Sequence, residues 1–291
     1  MSKPVVSVLI SSYNHGLYIE QLLESILQQS YGYENIELIV IDDCSTDNSC
    51  SIIQALADQH HFQFIANTSN KGICANINRG ILLAKGQYIC ITGSDDYWAV
   101  NKLELQVTHL EQNPKAAVCS GNVIRVDAKG KDLAPEKQIT APARIYSFKE
   151  VFLRDFPFSS TCAMIRKSVL DEVGGYDEQL KIEDYYMWLK IAAAGHELHF
   201  LKEILGYYRI HDGNTIHKSW LIYTEMAKIL ALYQKHNLYP AALKRLKVVY
   251  FPQIAQLNKK KALGLLPAAI SNTRFFYRGV YHLLRPFKAK L

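Results

Sequence analysis

Five apolar runs, separated by segments with helical spacing, occupy the first 130 residues and restrict the chain to one broad class of fold. Val5-Val6-Ser7-Val8-Leu9-Ile10, Ile36 to Ile41, Phe62 to Ala66, Tyr88 to Ile91 and Ala116 to Val126 read as strands. Between them Tyr18, Leu22, Leu23, Ile26 and Leu27 recur at helical intervals, as do Ile52, Ile53 and Leu56, and then Ile77, Ile81 and Leu82. Strands apolar along their whole length need cover on both faces, and a parallel sheet receives it from its connecting helices. The expectation is an α/β chain whose mostly parallel sheet is flanked by helices, the first half of a doubly wound, nucleotide-binding type of fold.

The second half is more mixed. Residues 128–146 are polar and broken by Pro and Gly, which reads as a loop. Thr161 to Ile165 reads as a strand, Lys167 to Val173 as a short helix, Gly174 to Asp177 as a turn, Glu183 to Ala194 as a helix and Glu197 to Ile210 as a strand or hairpin. From Trp220 onward the pattern is helical: Ile222 to His236, Tyr239 to Gln256, and Leu263 to Leu284 interrupted near Pro267. Charge divides along the same line. Glu225 is the last carboxylate; residues 226–291 carry thirteen Lys or Arg, whereas the first 225 residues have a net charge of −7. With no basic-then-apolar leader and no apolar run near 18 residues, the sequence predicts neither secretion nor membrane spanning. Six cysteines without close metal-type spacing, several inside apolar runs, read as reduced thiols of a cytosolic protein.

Four polar clusters follow predicted strand ends, where open α/β sheets bind ligands. Ser11-Ser12-Tyr13-Asn14-His15 offers hydrogen-bonding groups and a ring for stacking, or equally a turn and helix cap. Asp42-Asp43-Cys44-Ser45-Thr46-Asp47 places a carboxylate where it can accept from a base or ribose, with Ser45, Thr46 or Asp47 left to cap the next helix. The run Ile89 to Trp98 drives an apolar strand into the paired carboxylates Asp95-Asp96; these suit a hard divalent cation that also bridges phosphate, or an Asx-rich turn. Glu183-Asp184 opens a helix, where the dipole alone favours acids, and Tyr207-Tyr208-Arg209-Ile210-His211 lies downstream.

Together these clusters resemble the family 2 nucleotide-sugar glycosyltransferases, which have the GT-A fold. The resemblance spans roughly residues 4–215 and rests on Val6 to Asn14, Ile39 to Asp47, Asn70-Lys71-Gly72 with Asn76 and Gly80, and Gly86 to Trp98 with Lys102-Leu103 and Gln106-Val107. Gly174 to Asp177, Glu183-Asp184 and Tyr208 to His211 complete it. It implies a GT-A fold with a Rossmann-like, mostly parallel sheet and a helical C-terminal extension. The implied domains are a glycosyltransferase domain over 1–218, divided into a nucleotide-binding half (1–127) and an acceptor half (128–218), and a basic helical region over 219–291. By position, Tyr13 stacks on the nucleotide base and Asp43 hydrogen-bonds it, with Ser11, Asn14, Lys71, Asn76 and Asp95 also on the donor side. Asp95, Asp96 and His211 bind Mg²⁺ or Mn²⁺, and Asp184 takes the proton from the acceptor hydroxyl. Tyr97, Trp98 and Glu183 are assigned to the acceptor pocket.

The resemblance has two departures. Gly93 stands where the family's Asp-x-Asp-Asp pattern begins, and Cys44 replaces a usual Gly, which would strain it if the position needs a positive φ. The implied activity is inverting, metal-dependent transfer of a hexose, from a UDP-hexose first and a dTDP-deoxysugar next, to a glycan. The expected acceptor is lipid-linked, in bacterial polysaccharide or lipopolysaccharide biosynthesis. A non-catalytic sugar-nucleotide or polysaccharide-binding module and a nucleotidyltransferase are the alternatives. The basic tail, with Arg274, Phe275, Phe276, Tyr277, Arg278, Tyr281, Arg285, Phe287, Lys288 and Lys290, interleaves cations and aromatics as a helix on an anionic membrane does. It reads as docking through 259–291 at the inner face of the cytoplasmic membrane, in a cytoplasmic protein that binds no nucleic acid; a packed helix with a solvated basic face is the competing reading.

Overall fold

A computed structural model describes residues 6–138, 140–214 and 218–284; the tail positions Arg285, Phe287, Lys288 and Lys290 lie outside them. The strands are β1 Val6–Ser12, β2 Ile36–Asp42, β3 Gln63–Ala66, β4 Tyr88–Gly93, β5 Tyr97–Trp98, β6 Ala116–Val126, β7 Arg144–Tyr146, β8 Met164–Arg166 and β9 Glu197–Arg209. The helices are α1 Ile19–Leu27, α2 Ser49–His60, α3 Ile73–Leu83, α4 Lys102–Gln112, α5 Phe148–Phe152, α6 Lys167–Val173 and α7 Asp184–Ala193, followed by α8 Ser219–Ala231, α9 Tyr239–Leu257, α10 Lys259–Leu263, α11 Leu266–Ala269 and α12 Thr273–Leu284. Two compact units result. The first runs through Val151 and resumes over Phe156–His211; the second takes Phe152–Asp155 and the chain from Asp212 on.

In the first unit the strands form one sheet in the order β3-β2-β1-β4-β8-β6-β9-β5, with β7 on β9. The four strands read first, β3-β2-β1-β4, are parallel. Beyond them the sheet is mixed: β8 runs antiparallel to β4 and β6, β6 parallel to β9, and β5 and β7 antiparallel to β9. Val6, Val8 and Ile10 of β1, Val40 of β2 and Cys90 of β4 pack with Ile19, Leu22, Leu23 and Ile26 of α1. The other sheet face is covered too, since Leu9, Ile39 and Ile89 are also buried. Glu197 to Arg209 is one long strand with bulges, which resolves the strand-or-hairpin alternative. The 128–146 loop carries one short strand, β7. Helix α4 had no counterpart among the sequence-derived elements: it buries Leu103, Val107 and Leu110 on one stripe and is otherwise largely polar.

Register sets the site. Ser11 of β1 lies beside Gly93 of β4, and Ser12 beside Asp42 of β2, so these parallel strands end at one rim. β5 pairs Tyr97 with Tyr207 and Trp98 with Gly206, which brings the end of β9 back to the turn after β4.

The second unit is helical. Phe251, Ile254 and Ala255 of α9, Ala262 of α10, Leu265, and Ala269 of α11 form its core. Gly279 lets α12 approach α9 closely, because a Cβ there would meet Phe251 Cε1 at 2.1 Å. Leu257, Leu263, Ile270, Tyr277 and Tyr281 are exposed. Among the described residues no helix is long and apolar enough to cross a membrane.

Candidate active site

The rim is built from carboxylates that fold the loops around them. Asp42 accepts from the Ser45 N–H and hydroxyl, both at 2.7 Å, and so closes the turn after β2. Within that turn Cys44 adopts φ +68°, so the position does need the left-handed region, and a non-glycine residue occupies it. Asn14 sits at φ +54°, where Asn is better tolerated, and its Oδ1 accepts from the Thr46 N–H at 2.8 Å. Asp43 accepts the Lys71 and Gly72 N–H groups at 2.7 and 2.9 Å and the Asn67 amide at 3.2 Å. Burial opposes its ionisation, but hydrogen bonds from Lys71, Asn76, Gly72 and Asn67 hold the carboxyl below its ordinary value. Asn76 is buried, with Nδ2 3.4 Å from Ser11 Oγ. Tyr13 is exposed, as is Lys71. Ser11, Asn14, Asp43 and Asn76 are thus linked into one edge, with the Tyr13 ring open to solvent beside it.

The paired aspartates after β4 point to different places. Asp95 Oδ2 lies 3.1 Å from His211 Nε2, and one ligand atom each from His15, Asp95 and His211 fall within 4.8 Å of one another. Two imidazoles and a carboxylate in that compass are a donor set that fits a divalent cation. Asp96 faces inward instead. It is 4% exposed, accepting from the Thr161 hydroxyl and from the Arg209 N–H at 2.8 Å. Burial and the Asp95 charge push its carboxyl up to about 8. Of the expected grouping, Asp95 and His211 lie together with His15 beside them, whereas Asp96 is turned to Thr161 and Arg209.

Arg209 holds the turn. It is 2% exposed; its Nε donates to Asp95 O at 2.7 Å, Nη1 to Ala128 O at 3.1 Å and Nη2 to Gln21 Oε1 at 2.5 Å. Its guanidinium lies over the rings of Tyr18 and Tyr97, at 4.9 and 5.3 Å. Tyr97 stacks on Tyr207 at 4.4 Å. Trp98, the neighbouring residue of β5, points to the opposite face and is 3% exposed in the core beside Leu103 and Val107. Its ring carries Lys102 Nζ at 3.9 Å.

Glu183 and Asp184 begin α7 and line a small cleft with Ile91, Ser160, Ala163, Ile165, Tyr176 and Trp188. Burial, then the Asp184 charge, raises the Glu183 carboxyl well above its ordinary value. Burial, then the charges of Asp96, Asp95 and Asp184, likewise raises the Tyr208 phenol. Sequence reading assigned roles to neither His15 nor Tyr208. Each lay inside a quoted motif, and the return of β9 to the rim is what brings His211 beside His15.

A family model described as glycosyl transferase family 2 matches residues 7–174. The Escherichia coli protein WfaP, named as a UDP-Glc:α-D-GlcNAc-diphosphoundecaprenol β-1,3-glucosyltransferase, is 30% identical over 210 residues, covering 72% of this chain and 79% of its own. Staphylococcus aureus TarS 1–349 in complex with UDP-GlcNAc superposes with a TM-score of 0.67 at 19% identity, covering 95% of this chain and 81% of that one. The Pyrobaculum calidifontis mannosyltransferase PcManGT, in complex with GDP-Man and Mn²⁺, superposes with a TM-score of 0.63 at 18% identity, covering 98% and 88%. At such identities the two structures bear on the fold alone. The chain spans 66% of the length of an uncharacterized Rickettsia typhi glycosyltransferase and 50% of a longer TarS chain.

Proposed function

The chain belongs to glycosyltransferase family 2, and on that premise we propose that it transfers a hexose from a nucleotide-sugar to a glycan with inversion at the anomeric carbon. The observation that supports the reading is that the chain has two separate acid sets, Asp95 beside His15 and His211 at the rim and Glu183-Asp184 in the cleft. A nucleotidyltransferase needs only the first. A binding module has no use for a second acid pair in a cleft at the head of α7.

In this reading the base lies against the exposed Tyr13, while Asp43 with Ser11, Asn14, Lys71 and Asn76 frames the nucleoside. His15, Asp95 and His211 would hold a divalent cation, Mg²⁺ or Mn²⁺, whose contribution is to stabilise charge on the leaving diphosphate. Asp184 removes the proton from the attacking hydroxyl as its oxygen closes on the anomeric carbon. The likeness to WfaP supports a UDP-hexose donor and a lipid-linked acceptor; a dTDP-deoxysugar is the second donor reading, and bacterial surface polysaccharide or lipopolysaccharide synthesis the setting. The stretch beyond Glu225, which has no acids and carries Lys259, Lys260, Lys261, Arg274 and Arg278 among exposed Leu263, Ile270 and Tyr277, supports docking on the anionic inner face of the cytoplasmic membrane.

The test is transfer from UDP-hexoses to a diphospholipid-linked sugar. Asp184→Asn should lower turnover by roughly 10²–10⁴ while donor binding by calorimetry persists, and EDTA should stop transfer until Mn²⁺ is restored. Unchanged turnover in the variant removes Asp184 as base.

A further inference from the structure

The donor-side cation reading deepens at one residue. We propose that His15 is a third protein ligand of that cation, giving a two-histidine, one-carboxylate set that prefers Mn²⁺ over Mg²⁺. The inference rests on the proposed function for the existence of the cation, and on the local geometry for its ligands.

His15 reaches the site from the loop between β1 and α1, Asp95 from the turn after β4, and His211 from the end of β9. A ligand atom from each lies within 4.8 Å of the others. The 3.1 Å between His211 Nε2 and Asp95 Oδ2 matches the span of adjacent ligands around a six-coordinate cation with bonds of about 2.1 Å. The His15 ring is also held in the manner of a ligand. Its Nδ1 lies 2.7 Å from the buried Ser94 hydroxyl; when Nδ1–H donates there, Nε2 keeps its lone pair for a metal. The backbone of His15 is fixed at both ends, its N–H donating to Ser49 Oγ at 3.0 Å and its carbonyl accepting from Tyr18 and Ile19 at 2.9 and 3.0 Å. The His15 and His211 rings meet edge to face at 5.6 Å, and Tyr18 packs against His211 at 4.8 Å.

Gly93 explains why a third ligand is needed. The position that begins the carboxylate pattern has no side chain, and a Cβ built there would touch only Asp95 Oδ1, at 3.0 Å. With Asp96 committed to Thr161 and Arg209, the rim supplies Asp95 as its carboxylate and the histidines supply the rest. Imidazole ligands favour first-row transition ions, whereas Mg²⁺ prefers oxygen and retains its water.

The experiment uses the full chain and the metal alone, with UDP added in a second arm. Loss of the free Mn²⁺ electron paramagnetic resonance signal gives the Mn²⁺ affinity, and Mg²⁺ competition gives the preference. We expect Mn²⁺ to bind at least tenfold more tightly than Mg²⁺, and His15→Ala to weaken Mn²⁺ tenfold or more and narrow the preference. Because that variant also loses the Ser94 contact, wild-type protein with ¹⁵N-labelled histidine provides an independent reading. Pulsed electron paramagnetic resonance of the bound Mn²⁺ should show ¹⁵N hyperfine couplings from two coordinated imidazoles. Couplings from one imidazole only, or Mn²⁺ affinity lost in Asp95→Asn but kept in His15→Ala, overturns the role of His15 and leaves the cation reading intact. No Mn²⁺ uptake in either arm overturns both, whereas Mn²⁺ binding without sugar transfer counts against the proposed function alone.

Discussion

Arg209→Met tests whether the guanidinium or mere packing holds the Asp95–Asp96 turn. Arg209 is 2% exposed and none of its ion pairs with a carboxylate side chain appears among the described residues, so its charge is satisfied by carbonyls and rings. Replacing a buried charge by an apolar group of similar length is often neutral or stabilising, and that is the rival outcome. Here, however, Met would strand two carbonyls, Asp95 O and Ala128 O, while Gln21 is exposed and can rehydrate. At roughly 1–3 kcal/mol for each unsatisfied acceptor, less what Met recovers by packing, the loss should be about 2–4 kcal/mol. A domain of this size loses roughly 2–4 °C of Tm per kcal/mol, so a drop near 10 °C is expected. Arg209→Lys should recover less than half, since one ammonium cannot span acceptors on residues 95 and 128 as a planar fork does. Calorimetric melts of the full chain measure both variants. A Met variant within about 1 kcal/mol of wild type, or a Lys variant equal to wild type, refutes the reasoning.

Cys44→Gly should raise stability by roughly 0.5–1 kcal/mol, relief of the left-handed backbone exceeding the added chain entropy of glycine, as read from the urea midpoint; a decrease would mean that the thiol contributes packing. Glu183 has a folded pKa above its unfolded value, so its contribution is greatest below pH 4.5 and is lost as pH rises through about 8. Glu183→Gln should therefore gain on wild type in urea stability between pH 6 and 9, and parallel pH curves would reject the shift. Gly279→Leu forces a side chain against the Phe251 ring and should cost about 1–3 kcal/mol in the second unit, seen as faster proteolysis beyond residue 212; unchanged cleavage would show that α12 moves aside without loss.

What the sequence revealed depended on local signals. β1, β2 and β4 were legible because burial on both faces makes them apolar throughout. Asp43 and Asp95 were legible as carboxylates at strand ends. Tyr97 and Trp98 read alike as aromatics after two acids, yet β5 places them on opposite faces, and strand alternation alone would have separated them. Asp96 looked equivalent to Asp95 until its partners Thr161 and Arg209 arrived from distant elements. His15 is a single histidine in a turn; its significance depends on His211, which only the long path of β9 brings near.

The segment Phe152–Asp155, which leaves the first unit to join the second, also bears on biosynthesis. Phe152 is fully buried, packed against Tyr233 and His236 at 5.8 and 5.3 Å. Those partners are translated about 80 residues later, or roughly 4–16 s at ordinary elongation rates. A nascent chain must therefore carry an uncovered aromatic in mid-sequence while the β-rich unit around it is still being made. Ribosome-bound intermediates stalled between residues 160 and 230 are where this protein should be most dependent on chaperones.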